Sequence, residues 1–64
     1  MNWTPHRIRT LRKRLDLSQP LFADAVGVHE RTVRAWEAGS SAPKGTAARR
    51  RLTELATQAA AQPA

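Results

Sequence analysis

No cysteine occurs among the 64 residues, which removes disulfides and cysteine-ligated zinc as supports for so short a chain. Chains of this length sit near the lower limit of what folds on a hydrophobic core alone, so nearly every large apolar side chain must join one core. Aromatics are few, two tryptophans and one phenylalanine with no tyrosine. Acids are scarce as well: five Asp and Glu stand against 11 Lys and Arg, a formal net charge of +6. No apolar run approaches the ~18 residues of a membrane span, and no signal-peptide core follows Met1, so a cytoplasmic chain without membrane contact is expected. His6 and His29 have neither cysteines nor clustered carboxylates as sequence neighbours. The sequence therefore offers no metal site and no nucleophile–base pair, and neither a cofactor nor enzymatic activity is expected. A basic excess of this size favours an anionic partner, nucleic acid ahead of a membrane surface.

What is present reads as helix, without strand signals. In "WTPHRIRTLRKRLD" Thr4 is a candidate N-cap with Pro5 at N1, and Trp3 and Ile8 have the spacing of a hydrophobic staple. Ile8, Leu11 and Leu15 share one face and predict a helix over about 5–15, with Asp16 in the following turn. Ser18 opens a second helix over about 18–26, in which Phe22, Ala23 and Val26 point inward and Gly27 supplies the left-handed terminator. A third follows over about 29–38, with His29 as a weak cap, Val28 and Val33 as a second staple, and Gly39 at its end. "GSSAPKG" is a connection. A fourth helix over about 45–61 aligns Ala48, Leu52, Leu55, Ala56 and Ala59. The expected fold is all-α, a bundle of four or five helices in one domain over residues 1–61, with 62–64 as a frayed tail. Its expected core is Ile8, Leu11, Phe22, Ala23, Val26, Val28, Val33, Trp36, Leu52 and Leu55.

The joint between the second and third helices is the informative feature. About three residues, Gly27 among them, are too few to lay two helices side by side and make them cross steeply, as in a helix-turn-helix. Ala23 is small where the two backbones must approach, while Val26, Val28, Val33 and Trp36 fill the wedge. An ordinary helical corner shares these features singly; their coincidence favours the helix-turn-helix.

Residues 8–43, "IRTLRKRLDLSQPLFADAVGVHERTVRAWEAGSSAP", resemble the phage-repressor/Cro-type (XRE-like) helix-turn-helix family. The matching landmarks are Leu11 and Arg12, "LSQ" at 17–19, Ala23, "GV" at 27–28, Thr32-Val33, "WE" at 36–37, Gly39 and Pro43. The ending "APKGTAARRRLTEL" is similar to a short variant in which one helix replaces the usual last two. The resemblance implies a sequence-specific, double-stranded-DNA-binding transcriptional regulator, a repressor or autoregulator in a prokaryotic or phage-infected cell. It also implies a homodimer on a palindromic operator, here expected to be weak and DNA-induced. The alternative is an antitoxin or other protein-interaction module that binds DNA secondarily, with a toxin or other protein as partner and Leu21 and the alanine-rich last helix as its surface.

Position by position, the resemblance assigns His29, Glu30, Arg31 and Ala35 to the bases and Gln19, Thr32, Arg34 and Lys44 to the DNA backbone. It makes Arg12 and Glu37 an ion pair tying the first helix to the third. Arg9 and Arg49 join the backbone candidates by charge. Arg31 suits base readout best, because a guanidinium can bridge O6 and N7 of guanine, whereas Ala35 can at most touch a thymine methyl. Glu30 has two readings. It suits the positive end of the helix dipole and an (i, i+4) pair with Arg34, and it can also accept from a cytosine amino group. Leu21 replaces the usual polar residue and His29 the usual Ser or Thr cap, so the operator does not carry over from the family.

Overall fold

Each helix begins where a cap or a turn residue allows it and ends where the backbone can reverse hand. The computed structural model describes residues 2–61 and contains α1 (Pro5–Arg14), α2 (Gln19–Val26), α3 (Glu30–Ala38) and α4 (Thr46–Ala61). No fifth helix is found among the described residues, and the expected tail at 62–64 lies outside them. The boundaries differ from expectation by single residues. Ser18 and His29 stand just before their helices as caps, Leu15 closes α1, and α4 begins one residue after Gly45. Thr4 accepts a hydrogen bond from the Arg7 N–H at 3.2 Å, and Ser18 accepts from the Leu21 N–H at 3.4 Å. His29 makes no side-chain capping bond, so the first turn of α3 is left open.

The first three helices end alike. The N–H of Leu17 reaches back to the Arg12 carbonyl (3.2 Å), that of Val28 to Ala23 (3.0 Å) and that of Ser40 to Ala35 (3.0 Å). This closure needs a left-handed residue just before the donor, which Gly27 (φ 89°) and Gly39 (φ 83°) supply without strain. After α1 the same place is taken by Asp16, at φ 57°. Asp16→Gly is therefore expected to raise stability by about 0.5 kcal/mol, relief of the side chain's steric cost being partly offset by greater freedom in the unfolded chain. Thermal unfolding should show a Tm roughly 2–4 °C higher. A lower Tm would mean that the Asp16 side chain stabilises the turn by more than its strain.

Phe22, Ile8, Leu52 and Val33 are completely enclosed, with Leu11, Ala23, Val26, Trp36, Leu55 and Ala59 around them. Val28, expected in the core, is only half-buried and packs at its edge, because it lies in the turn outside both helices. Trp3 does more than staple α1: it is buried to 9 % exposure and belongs to the core. α3 and α4 each pack on α1 and α2, with little direct contact between the two. That arrangement leaves the outer face of α3 open. Among the described residues no helix is long and apolar enough to cross a membrane.

Candidate nucleic-acid interface

The inner face of α3 is set by Val33, Trp36 and Glu37, all buried. Opposite them His29, Arg31 and Arg34 are exposed, while Glu30, Thr32 and Ala35 are half-buried along the margins. Glu30 and Arg34 form an ion pair one turn apart, and with Arg31 they line a shallow concavity on the outer surface. The pairing meets the local reading of Glu30: it is the first residue of α3, where the dipole favours an acid, and it precedes its arginine by four. Arg31 has no hydrogen-bond or ion-pair partner among the described residues, so its five donors remain directed at solvent.

What holds α3 in place is a carboxylate. Glu37 has a side chain only 6 % exposed and accepts from Arg12 through both oxygens, Nε to Oε2 at 2.7 Å and Nη2 to Oε1 at 3.1 Å. The remaining Arg12 nitrogen, Nη1, donates to the Leu17 carbonyl at 3.1 Å. One guanidinium thus joins α1, the turn after it and α3. Gln19, the first residue of α2, places Nε2 at 3.5 Å from Glu37 Oε1, which brings the start of α2 beside the end of α3. Burial on its own would raise the Glu37 pKa; the hydrogen bonds from Arg12 and Gln19 and the charges of Arg12 and Arg9 outweigh it and hold the carboxyl below its ordinary value. The same hydrogen bond raises the pKa of Arg12.

The other candidates fall into two groups. Arg9, expected at the DNA backbone, donates Nη2 to the Glu37 backbone carbonyl at 3.0 Å and lies 3.7 Å from its carboxylate, so it is already engaged at the C-terminal end of α3. Lys44, in the loop after α3, and Arg49, on α4, are exposed. Sequence reasoning missed the Arg9 contact and a second one: Arg51 donates Nε to the Ala25 carbonyl at 2.8 Å, near the end of α2. A signal existed for the latter. The last turn of α2 contains no basic residue of its own, and a cation from elsewhere is favoured at a helix C-terminus. Among the described residues no three His, Asp or Glu side chains are grouped to hold a metal.

The α2–turn–α3 unit, with three residues between its helices, its anchoring by Arg12 and Glu37, and the exposed cationic face of α3 agree with the comparison by family. A helix-turn-helix family model matches residues 8–50, two thirds of the chain. The chain belongs to the phage-repressor/Cro (XRE-type) helix-turn-helix family. Neither a curated protein nor a solved structure matches it. Membership makes this helix-turn-helix protein a DNA-binding transcription regulator in kind, in a family of DNA binders and not of enzymes.

Proposed function

We propose that α3 is a recognition helix that enters the major groove of an operator, and that the protein represses or autoregulates transcription by occupying it. The observation that carries this reading is the division of α3 into a locked inner face, fixed through Glu37, and an outer face that presents the unpartnered Arg31. Repression asks least of so small a domain, since an occupied promoter excludes polymerase without further contacts. Arg31 reads a guanine, with His29 and Ala35 at neighbouring bases. Gln19, Thr32, Arg34, Lys44 and Arg49 serve the backbone, joined by the open N–H groups at the start of α3. Arg9 contributes through its hold on the end of α3 and adds positive potential nearby.

The protein binds as a homodimer on a palindromic site with half-sites about one helical turn, ~34 Å, apart. The dimer is weak off DNA because the large apolar side chains are committed to the core. Leu21, 56 % exposed, is the one large hydrophobic residue left outside among the described residues. DNA therefore supplies much of the alignment.

Two substitutions test the division of roles. Lys44→Ala is expected to weaken binding to all duplexes alike and to reduce the slope of log K against log[salt] by about 1, read by fluorescence anisotropy over a salt series. A change confined to one sequence would remove Lys44 from the backbone group. Glu30→Gln keeps the helix start but removes the charge that holds Arg34. Readout of cytosine by Glu30 predicts lost discrimination at one C·G position, by about 1–3 kcal/mol. An unchanged site preference would leave Glu30 only its role at the helix terminus.

A further inference from the structure

A groove of about 320 Å³ runs between α1 and α4, on a part of the surface to which α3 contributes no residue. Trp3, Leu11, Ala56 and Ala59 form its apolar floor. His6, Arg7, Thr10 and Arg14 form its rim. None of the five acids of the chain lines it. Asp16 lines a separate depression with Arg12 and Lys13, and Glu30 is paired with Arg34 on α3. Glu37 is buried against Arg12, and Glu54 lies 3.8 Å from Arg51, the side chain that reaches across to α2. Asp24 sits on α2. The result is an apolar trough with basic groups at its edge and, among the described residues, no acidic side chain lining it to neutralise them.

We propose that this groove docks an acidic amphipathic segment of a protein partner. An apolar side chain of the segment rests on Trp3, Leu11, Ala56 and Ala59, and carboxylates beside it meet Arg7 and Arg14. The chemistry decides against other occupants. A DNA phosphate seated here would lose water against an apolar floor that offers it no hydrogen bonds. A second copy related by a two-fold axis would set this basic rim against itself, between molecules each carrying +6. What fits is apolar in the middle and negative at the margins, the complement that helix-in-groove recognition uses. The volume lies at the low end of cavities that hold a ligand, roughly 300–1,000 Å³, and takes one or two large side chains. Because α3 does not line the groove, the protein can hold DNA and this partner together, so that the partner's presence is read at the operator.

The test uses the 64-residue chain, labelled with ¹⁵N, and a synthetic helical peptide bearing leucines at i and i+4 flanked by glutamates. Saturable shifts are expected at the Trp3 indole N–H, Thr10 and Ala56. They should persist when a short duplex of arbitrary sequence saturates the protein at low salt. The same peptide with lysine in place of glutamate should not bind. His6→Glu combined with Arg7→Glu, both on exposed positions in the first turn of α1 where the helix dipole tolerates acids, should weaken the acidic peptide by roughly tenfold or more while Tm stays near wild type and the preference among duplex sequences is kept. Thr10→Glu, a single change on the same rim, should weaken it in the same direction. Absence of saturable shifts, equal binding of the lysine peptide, displacement by the duplex, or shifts confined to α3 would each overturn the proposal. So would anionic phosphatidylglycerol vesicles producing these shifts where the peptide does not.

Discussion

Glu37→Ala is expected to cost about 3–5 kcal/mol, a large part of the stability of so small a fold. The whole stability of a 64-residue domain is roughly 3–10 kcal/mol, so one residue of this kind decides whether the fold persists. The loss has a definite origin. Arg12, with a side chain only 17 % exposed, keeps its bond to Leu17 but loses both bonds to the carboxylate; Gln19 loses its acceptor, and Arg9 keeps its bond to the backbone carbonyl of residue 37 but loses the charge 3.7 Å away. Glu37→Gln should cost somewhat less, because an amide oxygen still accepts one of the two bonds from Arg12 although the cation is left unpaired. Removing both charges together, as Arg12→Met with Glu37→Leu, should recover much of the loss, since no unpaired ion is then left inside. Chemical denaturation of the three variants checks this order; equal losses for Glu37→Ala and the double variant would mean that packing, not pairing, is what Glu37 contributes.

The same pair makes the protein acid-sensitive. The folded-state pKa of Glu37 is lowered, so its contribution is fully present above the ordinary glutamate value of about 4.3 and is lost as pH falls through the lowered folded value. Wild type should therefore lose stability on acidification below about pH 4, and Glu37→Gln should lose less over the same interval. Since the Glu37 carboxylate also accepts from Gln19 at the start of α2, weakened DNA binding should accompany the loss.

Arg31→Ala is expected to lower affinity for the preferred operator by about 1–3 kcal/mol, roughly five- to 150-fold, and to abolish preference at one base pair. Unlike Glu37, Arg31 is exposed and makes no internal contact among the described residues, so Tm should move little. That separation distinguishes reading from folding. Binding to non-specific duplex should fall only by the share of one lost charge. Unchanged affinity and preference would show that another face of the protein reads the DNA.

Much of this was legible because local rules write themselves into short sequence spans. Thr4 and Ser18 marked helix starts, Gly27 and Gly39 marked ends, and Glu30 and Arg34 announced their pairing by a spacing of four. The Arg12–Glu37 contact spans 25 positions and was suggested only by resemblance to a family. Asp16 escaped as a left-handed residue because no glycine signals it there. Arg9 and Arg51 were harder still. Periodicity assigns a charge to a helix face but not to the carbonyl opposite it, and both find their partners on helices distant in sequence. The α1–α4 groove belongs to the same class: its basic rim becomes visible only once Arg7 and Arg14 of one helix stand beside Ala56 and Ala59 of another.

Selection of bound sequences from a random duplex pool at about 0.15 M salt tests the role of α3 most directly, because non-specific attraction is then strongly screened. An enriched palindrome with half-sites about 34 Å apart is expected, with a guanine whose preference disappears in Arg31→Ala. A pool that enriches no sequence, or one whose consensus Arg31→Ala leaves intact, would contradict it.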